Sequence, residues 1–547
     1  MNRESDLARR STEIRKFFRS SVPDKVVVSQ FLRDTESELD GYQAEIHRLQ
    51  TAIYAIESKR DRLRKTAELY KTLLSPIHAM PSEILTIIFK FCCETNVMEP
   101  WSLPATLRLT AVCGRWRDIT LSTPSLWSSI SIEFDDWITS FNILDQLMER
   151  YMSKSQNSPL TLALKIPHYA FDFDSDDVDT AAARRVLNTL TRQCHRWRSI
   201  SLVISPCTFP SSIFQPIRGH LPILKSLSLV RHGDLDSWKG VPFDFFDDCP
   251  SLSSLRIDDP FVLGDTEVPL PRGQVRTLRI TAPCSVHAFS LLSQYREVET
   301  LDLVSIGGKH ESDGDYSDHV VASGVKSLRI LDVSAQCDVD DALRHAPPLN
   351  NLSALTIAGQ HFAAVFHWTG VPVQDFVLRS GCTITYLHLQ WLPIDDVQVL
   401  SLLTSLPALR SLCIVELAQQ GRNRIVTRTL LDGLTVDAPM NAPSLMPVLP
   451  RLTEMKLVVD AQGLQSQTLL RMLSSRWLPD PVQATELGVD SLSFVAITVL
   501  SNTTPPERPL DCLRCFKDAG MKLVITYATP AELVGPLRLF PEDTLVW

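Results

Sequence analysis

The sequence predicts an α/β chain in three parts: a long heptad-patterned helix, a small helical unit, and an extended region of repeated strands. Three observations predict it. Apolar residues between Leu32 and Leu74 follow alternating steps of three and four, with no proline in that span. Between 75 and 132, two short amphipathic patterns are bracketed by Pro-containing turns. From Trp197 onward a phrase of the form apolar-x-x-apolar-x-apolar recurs ten times. The expected divisions are a charged, Ser-rich mobile arm over 1–30, the helix over 31–74, the helical unit over 75–132 and the repeats over 133–547.

The helical seam consists of Leu39, Tyr42, Ile46, Leu49, Ile53, Ile56, Leu63, Ala67, Tyr70 and Leu74, broken once by Arg60. A stripe this narrow is buried only against another helix. A homodimer through 32–74 and a helix folded back on its own chain both satisfy it. Ser75-Pro76 ends the run, because proline restricts its predecessor and donates no hydrogen bond.

The helical unit opens on Met80-Pro81-Ser82-Glu83, with proline where a missing N–H costs nothing. Ile84, Leu85, Ile88, Phe89 and Cys92 form one broad apolar face. A polar loop over 94–102 leads to a second helix, expected from Ala105 to Asp118, carrying Val112, Cys113 and Trp116. Thr123-Pro124-Ser125-Leu126-Trp127 closes the unit. So much apolar bulk in so few residues exceeds what the unit can bury alone, so part of it is expected to face a partner.

The string from Met80-Pro81-Ser82-Glu83-Ile84-Leu85 through Val112-Cys113-Gly114-Arg115-Trp116-Arg117 to Pro124-Ser125-Leu126-Trp127 resembles an F-box. It is similar in particular to the F-box proteins of mushroom-forming (basidiomycete) fungi, where a coiled-coil helix precedes the box and variable repeats follow. The resemblance implies docking to a Skp-type adaptor and, through it, to the cullin of a ubiquitin ligase. Carried over by motif position, Met80 and Pro81 cap the contact. Ile84, Leu85, Ile88 and Phe89 supply the first helix, Val112, Cys113 and Trp116 the second, and Leu126 and Trp127 the closing turn. Met80 stands where leucine is usual, a volume-conserving swap, and Gly114 lies where a long polar residue is common.

In the repeat region the phrase runs from Trp197/Ile200/Leu202 and Leu224/Leu227/Leu229 to Leu328/Leu331/Val333 and Leu452/Met455/Leu457. Most middle positions lie near the ~20–29-residue period of leucine-rich repeats, which the pattern resembles, with insertions in the longer gaps. The asparagine that this family places after each strand is missing; His232, Pro260, Gln336 and Asp460 stand there. The resemblance implies an irregular solenoid held by helix and loop packing. Residues between the paired apolar positions should line its concave face, and Arg256, Arg279, Asp302, Asp332, His388 and Lys456 are the candidate target-binding residues. Basic residues precede acidic ones along that row. Acidic stretches at 172–179 and 311–318 read as solvated insertions.

Composition excludes other classes. Hydrophobic residues at 44% and charged residues at 21% describe an ordinary globular chain. A net charge of −9 argues against nucleic-acid or membrane-surface partners held by bulk charge. No apolar run spans a bilayer and the N-terminus is polar, so reduced cysteines and a cytoplasmic or nuclear location are expected. The Cys512/Cys515 pair lacks a second ligand pair for zinc, and Gly307-Gly308-Lys309 lacks the phosphate-loop spacing. The scattered histidines, His195, His345, His361 and His367, lie at no ligand spacing, so neither metal nor cofactor is expected. The expected role is a non-catalytic substrate receptor of a Skp–cullin–F-box ligase, acting on an unidentified target protein. A structural scaffold with the same box, and an enzyme of unfamiliar fold, are the alternatives.

Overall fold

In the computed structural model the described residues are 9, 11, 12, 14–16, 25–134, 140–166, 178–204, 211–231, 244–258, 270–281, 288, 289, 292, 294–305, 324–333, 339–359, 371–416, 424–436, 447–461, 464–501 and 510–529. They divide into two compact units, 1–87 and 88–547. Most of the expected N-terminal arm, the acidic stretches 172–177 and 311–318, Gly307-Gly308-Lys309, His232, Pro260, Gln336, His361 and His367 lie outside the described residues.

The first unit is dominated by α1 (Lys25–Leu73), 49 residues long, which at ~1.5 Å per residue spans about 74 Å. Its sequence is rich in Leu, Ala, Glu, Lys and Arg, all strong helix formers. Thr35, Thr51 and Thr66 return their hydroxyls to the carbonyls of Phe31, His47 and Arg62, so these polar side chains do not compete with the helix. The expected start near residue 31 is corrected: nothing between Lys25 and Gln30 breaks a helix, and those residues are helical, as are 9, 11, 12 and 14–16. No described side chain of α1 is buried, and the seam residues are exposed throughout. Beyond Ser75 a single turn, α2 (Pro76–Ala79), starts on its proline, and the division between the units falls within α3 (Ser82–Cys92).

Among the described residues, the second unit contains a sheet of fifteen parallel strands whose order in the sheet is their order in the chain. They are β1 (Asn96–Met98), β2 (Ser129–Glu133), β3 (Leu160–Lys165), β4 (Trp197–Ile204), β5 (Ser226–Arg231), β6 (Ser254–Asp258), β7 (Thr277–Thr281), β8 (Thr300–Val304), β9 (Ser327–Val333), β10 (Ala354–Gly359), β11 (Tyr386–Gln390), β12 (Ser411–Val415), β13 (Glu454–Asp460), β14 (Phe494–Leu500) and β15 (Lys522–Ala528). Parallel neighbours need a crossover, and among the described residues helices lie in several of them. Between β1 and β2 lie α4 (Ala105–Val112) and α5 (Gly114–Leu121), and α6 (Phe141–Ser155) and α7 (Val178–Thr191) follow β2 and β3. After β4 comes the short α8 (Ser211–Phe214); later crossovers contain α9 (Val339–His345), α10 (Val371–Ser380), α11 (Asp396–Thr404), α12 (Arg428–Leu434), α13 (Ser466–Arg476), α14 (Pro481–Leu487) and α15 (Arg514–Asp518).

Alternation along each strand puts every second residue on one face. In register, Leu227, Leu255, Leu278, Leu301, Leu328, Leu355, Leu387 and Leu412 form one buried column, and Leu229 through Ile257, Ile280 and Leu303 begin a second. The sheet starts earlier than the phrase beginning at Trp197: β1, β2 and β3 precede it, the first two inside the segment assigned to the helical unit. They were hidden because β1 is three residues long and contributes Asn96 to the leucine column.

Two further expectations are corrected. The helix expected over 105–118 is two helices, broken at Cys113, whose backbone is extended. Gly114 therefore opens α5, and Arg117 Nε donates to Thr110 O at 2.9 Å across the break. The repeat expected at Leu328/Leu331/Val333 is out of register. Leu328 and Ile330 align with Leu301 and Leu303, so Arg329, not Asp332, stands beside Asp302. The cause is that β9 is apolar on both faces: Leu331 clusters with Val304 and Ala358 on the opposite side.

In place of an asparagine ladder, arginines tie successive crossovers. Arg196 donates to Ser158 O and Ser155 Oγ, Arg379 to the carbonyls of Leu343 and Ala346, and Arg476 to those of Leu434, Val448 and Leu449.

Candidate functional site

Within α3 the apolar residues sort into two stripes. Leu85, Phe89 and the following Cys93 recur every four residues and are buried. Ile84, Ile87, Ile88 and Phe91, at i, i+3, i+4 and i+7, are exposed by 45, 50, 37 and 70%. A helix with apolar stripes on both sides has one more than its own fold uses.

In the second unit the buried stripe has identifiable support. The rings of Phe89 and Trp116 lie 4.8 Å apart at 56°, which fixes α3 against α5. Trp127 is fully buried, its Nε1 donates to Thr120 O at 2.9 Å, and its ring meets Tyr151 of α6 edge-on at 5.0 Å. The Tyr151 hydroxyl pairs with Thr106 Oγ1, and burial holds the phenol well above its usual range. Asn96 is the hub of this network. Its amide nitrogen donates to Leu126 O and Ser129 O, both at 2.9 Å, and its oxygen accepts from Thr106 N and Oγ1. Every polar atom of that buried side chain is thus used, which is what burial requires. Nearby, burial pushes the Cys93 thiol up to about 12, leaving it an inert apolar group.

The structure separates the residues named from the motif. Pro81, Ile84, Ile88 and Val112 are exposed; Met80, Cys113 and Trp116 are half-buried. Leu85, Phe89, Leu126 and Trp127 are buried behind the exposed stripe. Ile87, Phe91, Trp101 and Leu103 were not selected, yet they are 50, 70, 69 and 58% exposed. The spacing 84/87/88/91 was the signal for two of them.

On the sheet face opposite the leucine columns, the register aligns Arg256, Arg279, Asp302, Arg329, Thr356, His388, Cys413 and Lys456 in one row. Five of the six candidate residues fall in it; Asp332 does not, so the basic-to-acidic gradient disappears. Asp302, 2% exposed, is engaged by both nitrogens of Arg329, with Nε–Oδ1 at 2.7 Å. Such a bidentate pair neutralises the row's acid. Lys456 is buried with its Nζ 5.8 Å from the Phe494 ring centre. His388 Nε2 is buried without a hydrogen-bond partner, and burial, reinforced by the charges of Lys456 and Arg329, pushes the imidazole down to about 4. Burial likewise raises Cys413 to about 12. Among the described residues, no three of His, Cys, Asp and Glu come together as metal ligands, and no helix is long and apolar enough to cross a membrane.

A comparison with curated proteins finds none that matches the chain. A family model described as F-box-like matches residues 77–133, from the turn before α3 to the end of β2, so the chain carries an F-box-like domain built around the doubly apolar helix.

Proposed function

We propose that this protein is a substrate-recognition subunit of a Skp–cullin–F-box ubiquitin ligase. The exposed stripe Ile84, Ile87, Ile88 and Phe91 on α3 carries the reading: F-box domains generally bind Skp-type adaptors, and this stripe is a contiguous helical part of the apolar surface that the domain leaves uncovered. The sequential parallel sheet with its leucine columns supports the reading of 133–547 as an irregular leucine-rich-repeat solenoid that binds the target. The protein contributes proximity and no bond chemistry. It works in the cytoplasm or nucleus, raising the effective concentration of target lysines beside a charged conjugating enzyme.

The test is capture of a purified Skp-type adaptor by the full-length chain. Ile84→Asp combined with Ile87→Asp is expected to weaken capture at least about 100-fold, because charges enter a desolvated contact, with an unchanged urea midpoint. Capture within twofold of the unsubstituted chain overturns the docking face. Persistence of a bound target when the ligase is inhibited separates a receptor from a scaffold; unaltered turnover of every bound protein overturns the receptor role.

A further inference from the structure

Among the described residues of the first unit the seam of α1 is exposed, and the charges beside it change sign along the helix with one exception. Taking Leu39, Ile46, Ile53 and Arg60 as one heptad position, and Tyr42, Leu49, Ile56 and Leu63 as the other, the flanking positions follow. In the first half they hold Glu36, Glu38 and Glu45; in the second they hold Lys59, Arg64 and Lys71 with a single acid, Glu57, which the antiparallel register sets against the neutral Gln43. A parallel pair sets Lys59 against Arg64 of the other helix, like against like. An antiparallel pair sets the acidic half against the basic half.

We propose that α1 pairs with α1 of a second copy of this chain in antiparallel orientation, with Leu49 layered on Ile53 of that copy. This register uses the helix almost end to end. Ile46 layers on Ile56, Leu39 on Leu63, Leu32 on Tyr70 and Val28 on Leu74, all exposed in the single chain. It also sets Arg60, the polar break already paired through Nε with Asp61 at 3.0 Å, against Tyr42 of the other copy, across whose ring a guanidinium stacks favourably. The small residues Thr35 and Ala67 share a layer. At the flanks Glu36 meets Arg64 and Glu45 meets Lys59, each twice by symmetry, and no like-charged pair is created. Ala52 lies on the two-fold axis, where its lack of bulk admits close approach.

The inference stands apart from the docking of α3 and is tested on the full chain by sedimentation velocity. The unsubstituted protein should sediment at twice its 61.4 kDa. Glu36→Lys with Glu45→Lys, and separately Lys59→Glu with Arg64→Glu, should each weaken self-association at least about tenfold, since like charges then face each other. Mixing the two variants should restore a dimer, which also shows that both remain helical. A monomeric unsubstituted chain at micromolar concentration overturns the proposal. Undiminished self-association of Glu36→Lys/Glu45→Lys overturns the antiparallel register, because in a parallel pair those positions meet no cation.

Discussion

Arg476 Nη1 donates to the carbonyl oxygen of Leu449 at 3.0 Å, reaching back 27 residues to the turn before β13. The same guanidinium serves Leu434 O and Val448 O, and its side chain is wholly buried. A delocalised, weakly hydrated cation suits this post better than lysine, since its fork can serve several carbonyls at once. Burial draws it down to about 10, so it stays charged at neutral pH. It ends α13 as Arg379 falls in the last turn of α10, where a cation also opposes the helix dipole.

Replacing Arg476 with methionine keeps the bulk and orphans three carbonyls. At about 1–3 kcal/mol for each buried group left unsatisfied, a loss of roughly 3–5 kcal/mol is expected from urea unfolding. Arg476→Lys should recover only part of it. A loss below about 1 kcal/mol would show that water serves those carbonyls equally well.

The two faces of α3 should respond in opposite ways. Phe89→Ala removes a buried ring packed at a tilt against Trp116 and should cost about 3–5 kcal/mol. Phe91→Ala alters an exposed ring and should stay within about 0.5 kcal/mol, while weakening adaptor capture. Thermal melts and binding on the same preparations read both; equal destabilisation by the two would contradict the division into stripes.

His388 makes stability fall with acid. Its pKa is near 4 folded against a usual 6.5, so between those values the unfolded chain binds the extra proton. The contribution is complete above about pH 6.5 and fades as pH drops towards 4; between pH 7 and 5 about 2 kcal/mol is lost. The urea midpoint of His388→Gln should depend less on pH over that interval than the midpoint of the unsubstituted chain. Parallel profiles for the two would remove His388 as the cause.

How much the sequence disclosed varied with how local the signal was. The heptads of α1, the proline before α3 and the strands around Leu227, Leu255 and Leu387 could be read directly, because each depends on a few neighbouring residues. The inward rotation of Leu85 and Phe89 could not, since Ile84, Leu85, Ile88 and Phe89 form a patch that either face could bury. The register of β9 failed for a related reason: Leu328, Ile330 and Leu331 satisfy the apolar phrase in two frames, and only pairing with β8 chooses between them. Asn96 was invisible as a strand residue because a polar group in a leucine column makes sense only once Thr106, Leu126 and Ser129 surround it.

Among the described residues every strand of the sheet bonds only to its predecessor and successor in the chain, so no described pairing joins distant parts of the sequence. A unit duplicated or lost in the middle leaves each remaining strand with a parallel neighbour on both sides, so the array can change in length by genetic accident without a new fold being invented. Its reach is an adjustable quantity, while the helical hub around Asn96 stays fixed at one end.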